Sequence, residues 1–355
     1  MTNPLVIVGI AHIDAGTENV VATKTEQDIW MFSVPQDATE LAQQAVIQLA
    51  PHVREHVRTV ITCNTAGDTY ARQRCISLGH RFRPKDVLGI LGVNLVTTLN
   101  AQLPNMQNIF NAEAACASGI VGLELADMIA RINNTIVLVT GVEKATSPFS
   151  ITLFRSINAL SNSTNQYYVP FDAQRHGFAM GEGAGVIAVA TLSHAQELNL
   201  PIIATINSVS IKSIVTHPTQ PSDPANLERF IRDAIQKSGK ELSDFAYWDA
   251  HATATPAGDE AEYKLFSNIF SEHDLAISSF KSRIGHCLGA SSLIEIINGI
   301  EQLQQQTITH NHNLTDKFVN DDRIITQPVQ TTKLTFIKTS FGFGGRNGVA
   351  VITVH

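Results

Sequence analysis

The 355-residue chain predicts an α/β fold of stacked layers, made of two pseudo-symmetric halves with helices sandwiched between two sheets. Three observations predict it. First, β-rich runs alternate with helical segments along the whole length, the pattern of helices packed on sheets. Second, two helical segments are apolar on nearly all sides, which marks them as buried. Residues 117–131 carry only Glu124 and Asp127 before Arg131, and residues 288–300 carry only Glu295. Third, the halves 1–195 and 196–355 echo each other. ITCNTAGDTYARQ (61–73) and DAHATATPAGDEAEYKL (249–265) each run from a strand through a Thr-Ala-Gly-Asp type turn into a helix. EAACASGIVGLELA (113–126) and IGHCLGASSLIEII (284–297) each set a reactive side chain just before a buried helix.

Along the chain, LVIVGI (5–10) reads as a first buried strand, followed by a helix over 38–50 and a strand VRTVITC (57–63). A helix over 68–78 precedes the buried helix 117–131 and the strand TIVLVTGV (135–142). The stretch 170–190 reads as a structural hairpin with Glu182 and glycine turns, ending in the strand GVIAVA (185–190). IIATINSVSI (202–211) is the next strand. The three prolines of VTHPTQPSDPAN (215–226) then end regular structure. Helices over 225–239, 258–271 and 288–306 and the strand LTFIKTS (334–340) complete the pattern.

Composition narrows the function. With 44% hydrophobic and 16% charged residues the chain reads as an ordinary globular protein with ample core. A net charge of −7 argues against general nucleic-acid binding. Cys63, Cys75, Cys116 and Cys287 form no CxxC pair, and a chain of this size needs no disulfide staples, which points to a reducing compartment. The N-terminus lacks the basic flank of a signal peptide, and no run reaches the roughly 18 apolar residues of a membrane span. The expectation is a soluble, cytoplasmic protein.

Cys116 sits at the start of a buried helix, where outward backbone N–H groups favour a thiolate. A lone cysteine is also common core filler. His251 ends a strand and is followed by Thr253 and Thr255, whose hydroxyls lie on one side of an extended segment. Lys281 and His286 lie five apart, with His286 just before the second buried helix. Glu295 inside that helix needs a cation, and Lys281 is the nearest basic candidate. The glycine-rich TSFGFGGRNG (339–348) lacks phosphate-loop spacing and reads as a tight turn that presents a backbone N–H or lets a loop move.

Together these stretches resemble the β-ketoacyl-[acyl-carrier-protein] synthases of the thiolase superfamily, types I and II. EAACASG matches the nucleophilic cysteine segment, HATATPAGD the His-Gly-Thr-Gly-Thr-Pro motif, KSRIGHCLGA the Lys…Gly-His motif and FGFGGRN the Gly-Phe-Gly-Gly loop. The likeness runs from about residue 105 to the C-terminus, with PFDAQRHGFAMGEGAG a further matching stretch. The resemblance implies a thiolase-like five-layer αβαβα fold and a decarboxylative Claisen condensation. Cys116 would be the acylated nucleophile, while His251 and His286 would hold the malonyl thioester and its enolate. Lys281, paired with Glu295, would organise the site. Thr253 and Thr255 would contact the pantetheine arm. The N–H groups of Cys116 and Phe343 would form an oxyanion hole, with Phe343 also a gate. No metal and no resident cofactor are implied, since the acyl carrier protein brings the 4'-phosphopantetheine. The chain would work as a homodimer or as part of a ketosynthase heterodimer.

Three departures stand out. Ala252 and Ala254 replace the two glycines of the histidine motif, Arg346 stands where the family has threonine, and the N-terminal region is short and fits poorly. They point to a specialised polyketide or polyene pathway over fatty-acid synthesis, with Arg346 a candidate contact for a polar or carboxylated substrate. A non-condensing acyltransferase or a regulatory partner subunit would also share the family pattern. An acidic carrier protein needs a basic patch, and YARQRCISLGHRFRPK (70–85) concentrates Arg72, Arg74, Arg81, Arg83 and Lys85.

Overall fold

Ten strands, joined by an unbroken backbone ladder, carry the molecule. The computed structural model describes residues 3–16, 23–24, 30–70, 73, 93–161, 168–217, 219 and 221–355. The first five strands are β1 (Leu5–Asp14), β2 (Val57–Thr62), β3 (Asn108–Asn111), β4 (Ile136–Glu143) and β5 (Gly183–Thr191). The second five are β6 (Ala204–Ser213), β7 (Phe245–Asp249), β8 (Ala276–Ser278), β9 (Thr335–Gly342) and β10 (Arg346–Val354). Their spatial order is β8-β7-β9-β10-β6-β1-β5-β4-β2-β3.

Adding five to each strand number of the first set gives the order of the second. β1/β5 and β5/β4 are antiparallel while β4/β2 and β2/β3 are parallel. β6/β10 and β10/β9 are likewise antiparallel, and β9/β7 and β7/β8 parallel. The pseudo-symmetry expected from the sequence echoes is therefore one of topology. The two sheets are not separate, because β1 and β6 pair at Leu5↔Ile206, Val6↔Thr205 and Ile7↔Ala204.

The helices fall into three layers. α1 (Ala38–Gln48) and α2 (Val93–Gln102) cover the outer face of the first sheet, where Leu41, Val46 and Leu99 are fully buried. α3 (Ser118–Asn133) and α7 (Ser291–Gln304) lie in the middle and touch strands of both halves. α5 (Pro224–Ser238) and α6 (Pro256–Ile269) cover the second sheet with Phe230, Ile231 and Phe266. A short helix α4 (Pro148–Ser156) flanks the site described below. At the crossing of α3 and α7 a Cβ on Gly119 would stand 2.4 Å from Ser292 Oγ and 2.8 Å from Leu293. Only glycine allows that approach. The central helices are apolar because both faces are covered, as their composition requires.

Most elements lie within two or three residues of the sequence expectation. The segment 68–78, apart from residues 68–70 and 73, lies outside the described residues, as do Arg72, Arg74, Arg81, Arg83 and Lys85. The stretch 170–190 is not a hairpin. It holds turns, a two-residue strand Met180–Gly181 parallel to residues 31–32, and then β5. Glu182, fully buried, is its anchor, accepting hydrogen bonds from Ser33, Val34 N, Lys144 Nζ and Thr146. Among the described residues no helix is long and apolar enough to cross a membrane.

β1 also carries an ion cluster that the sequence did not suggest. His12 Nδ1 lies 2.8 Å from Asp14 Oδ2 and its Nε2 3.2 Å from Glu301 Oε2 on α7. Burial opposes the imidazolium, but the two carboxylates outweigh it and raise its pKa to about 9. A raised folded-state pKa stabilises the fold fully below the unfolded value of 6.5, and that contribution disappears as pH climbs through about 9. Denaturant unfolding should therefore show stability falling by up to about 3 kcal/mol between pH 6.5 and 9. His12→Gln should lack that decline. An unchanged slope in the variant would remove His12 as its source.

Candidate active site

The backbone around Cys116 is held by hydrogen bonds from three segments. Ala115 takes a left-handed φ of 49°, which turns the chain sharply from β3 into α3. Thr65 Oγ1 and Ser118 Oγ donate to the Ala115 carbonyl at 2.9 and 2.6 Å, and Ser340 Oγ of β9 donates to the Cys116 carbonyl at 2.8 Å. Glu143 at the end of β4 accepts from Thr65, Ala66, Gly67 and Gly289 N–H, tying this loop to the approach to α7. Cys116 is left 6% exposed, two residues ahead of α3.

Two histidines face it. His286 Nε2 is 3.0 Å from Cys116 Sγ, and its Nδ1 is 2.9 Å from Ser291 Oγ at the start of α7. Phe178 packs edge-on against the imidazole with centroids 5.1 Å apart. His251 follows β7 and meets the His286 ring edge-to-face at 5.6 Å and Phe341 at 5.8 Å. Its backbone N–H and that of Ala252 are held by the buried Glu262 of α6 at 2.9 and 2.7 Å. One ligand atom from each of Cys116, His251 and His286 lies within 4.8 Å of the others. Among the described residues this is the one grouping of three such side chains close enough to hold a metal ion.

The electrostatics correct one expectation. Helix position was expected to lower the thiol pKa, but burial dominates and pushes Cys116 up to about 12, with Lys281 pulling it back only in part. Both histidines are held well below the usual imidazole value, first by burial and then by the Lys281 charge. The resting site is therefore a neutral thiol beside two neutral imidazoles. His286 is placed to take the thiol proton as the sulfur attacks.

Lys281 and Glu295 pair as expected, at 2.6 Å, both at most 2% exposed. The sequence did not suggest the continuation. Glu295 Oε2 is 2.5 Å from Lys338 Nζ, and Lys338 is 3.2 Å from Asp249 Oδ1. The available signal was a charged residue inside an apolar strand: Lys338 in LTFIKTS, and Asp249 ending FAYWD.

A cavity of about 360 Å³ opens over Cys116, His251 and His286. Thr253, Thr255 and Phe343 line it, together with Phe154 and Ile157 from the α4 region. The Thr253 and Thr255 hydroxyls are 3.2 Å apart. Phe343 tops the β9–β10 turn, where Gly344 and Gly345 take φ values of 76° and 66° and Phe343 remains 36% exposed. Ala254 holds a φ of 61° that glycine would adopt without strain. Arg346 is not brought to the cavity. It is exposed, and its guanidinium donates to the Glu113 carbonyl at 3.3 Å, bracing the loop between β3 and Cys116.

Two family models match the chain: "Beta-ketoacyl synthase, N-terminal domain" over residues 108–195 and "Beta-ketoacyl synthase, C-terminal domain" over residues 203–315. The chain is 33% identical over 250 residues to 3-oxoacyl-[acyl-carrier-protein] synthase I, chloroplastic, of Hordeum vulgare, covering 68% of this chain and 54% of that protein. It is 31% identical over 248 residues to 3-oxoacyl-[acyl-carrier-protein] synthase 2 of Coxiella burnetii, covering 67% of this chain and 60% of that one. The chain thus spans a little over half the length of these curated relatives. Its fold is similar, at 20% identity and a TM-score of 0.87 over 100% of both chains, to one described as a type II PKS acyl-carrier protein in complex with its ketosynthase bound to the hexaketide.

Proposed function

Because this chain belongs to the β-ketoacyl synthase family, we propose that it is a ketosynthase joining an acyl group on Cys116 to a malonyl unit carried by an acyl carrier protein. The observation that carries the reading is the thiol with two neutral imidazoles, all within 4.8 Å at the floor of one cavity. In the first half-reaction Cys116 attacks the acyl thioester, its proton passes to His286, and the carrier's pantetheine sulfur leaves with that proton. The Cys116 and Phe343 N–H groups take the transient oxyanion. In the second, the malonyl carboxylate leaves as CO2 and its bonding electrons form an enolate, whose oxygen is held by the His251 N–H and by His286 in its Nε2–H tautomer, with Ser291 Oγ–H now donating to Nδ1. The enolate carbon attacks the acyl–Cys116 carbonyl, and collapse of the adduct expels Cys116 as a thiolate, which takes a proton from solvent to restore the resting thiol.

Thr253 and Thr255 receive the pantetheine arm, and Phe343 gates it. The carrier protein docks on the basic 70–85 segment. The 4'-phosphopantetheine belongs to that partner, and the enzyme is a homodimer or half of a ketosynthase heterodimer. Ala252 and Ala254 support a specialised polyketide or polyene substrate over a fatty-acid one. A regulatory partner subunit would have no use for a thiol 3.0 Å from a histidine.

Intact mass after incubation with acyl carrier protein thioesters should show one acyl group on Cys116. Addition of malonyl carrier protein should then release one CO2 per β-ketoacyl product. Acyl transfer without CO2 release would replace this reading by that of a non-condensing acyltransferase. Equal kcat/KM for saturated and polyunsaturated acyl donors would reject the specialised substrate.

A further inference from the structure

Lys338 is unused in that mechanism, yet it is fully buried at the centre of the second sheet. Its neighbour in register across the β7/β9 pairing is Asp249. Its ammonium reaches Glu295 Oε2 at 2.5 Å, Asp249 Oδ1 at 3.2 Å, the Ala250 carbonyl at 3.3 Å and the Asp249 carbonyl at 3.5 Å. Asp249 and Ala250 are the last residues before His251. Glu295 uses its other oxygen to hold Lys281, which begins the turn that ends in His286. One ammonium therefore touches the segment that presents His251 and reaches the turn that presents His286 through Glu295.

We propose that Lys338 is a positioning residue of the site, fixing the β7 end that carries His251 against the Glu295–Lys281 pair and placing a second permanent positive charge beneath both histidines. The charged and titratable groups around it are Glu295 from α7, Asp249 and Tyr247 from β7, Lys281 from its turn, and Glu262 from α6. Burial pushes Asp249 up to about 7 against the pull of Lys338. The Lys281 and Lys338 charges add to burial in keeping His251 and His286 uncharged, and a neutral imidazole still carries one N–H for the enolate.

The test uses the double variant K338M/D249N, which removes the ion pair together and leaves Glu295 to Lys281. Imidazole Cε1–H resonances are followed from pH 5 to 8 in the full chain, assigned with H251N and H286N. Wild type should show both rings neutral across the range. In the double variant their titration should rise by at least one pH unit, a tenfold change in protonated fraction or more. D249N alone, which keeps Lys338, should leave both rings neutral. Rings as neutral in the double variant as in wild type, titration induced by D249N alone, or failure of the double variant to fold would each overturn the proposal. The activity arm rests on the ketosynthase reading: the acid limb of CO2 release should shift upward by the same amount. Absence of CO2 release by wild type would count against that reading, while the resonance arm still decides the role of Lys338.

Discussion

Replacing Cys116 by glutamine should abolish acylation altogether while leaving CO2 release from malonyl carrier protein intact or raised. The thiol is the one group at the cavity floor that can form a thioester, so intact mass should show no acyl adduct. Decarboxylation needs only the two imidazoles, and neither has its backbone held by Cys116: His251 is fixed by Glu262, and His286 by Ser291 and the Phe178 ring. A glutamine carbonyl oxygen directed toward the Cys116 and Phe343 N–H groups imitates the acylated enzyme, the state that normally precedes CO2 loss. Loss of both half-reactions in C116Q would mean that the sulfur itself takes part in decarboxylation.

The two histidines should then fail in different ways. A thiol raised to about 12 is ionised in roughly one molecule in 10⁵ at pH 7, so attack depends on a base within reach. In the proposed mechanism His286, at 3.0 Å, is that base, and H286A should slow acylation by roughly 10²–10⁴-fold as well as impairing CO2 release. H251A should acylate at close to the wild-type rate, because no contact links its ring to the sulfur's proton. Its CO2 release should fall by roughly 10²–10³-fold through loss of one enolate donor. Rapid-quench acylation and labelled CO2 release measure the two steps separately. Equal acylation rates in both variants would remove His286 as the base.

The residues of the site were legible where chemistry-bearing side chains stand at the ends of strands or the starts of buried helices, as with Cys116, His251, Lys281 and His286. What the sequence could not reveal was depth. Helix position alone argued for an acidic thiol, but the charge effect of a helix start is small beside the desolvation of a fully enclosed sulfur. The pairing of Lys338 with Asp249 and Glu295 could not be read for a related reason, since a strand's composition does not say which neighbour neutralises its charge. The polar edge strand β3 (NIFN) and the three-residue β8 offer too little alternation to be read as strands. The expected hairpin over 170–190 failed because Glu182 is satisfied by groups from 33–34 and 144–146, far away in sequence.

The joining of the halves by three residue pairs between β1 and β6 affects how the molecule comes to its final state. Cys116 and His286 are 170 residues apart in sequence, and the hydroxyl that pins the Cys116 carbonyl is 224 residues away. Contacts of such separation close late, after each half has built its own sheet, because the loop entropy must be met before they form. Cys116 should lie open to solvent until α3 and α7 meet at Gly119, whereas in the folded chain it is 6% exposed and is reached through the cavity. Its alkylation by a small iodoacetamide during refolding thus acts as a clock for the last assembly step, reporting the arrival of the second half at the thiol of the first.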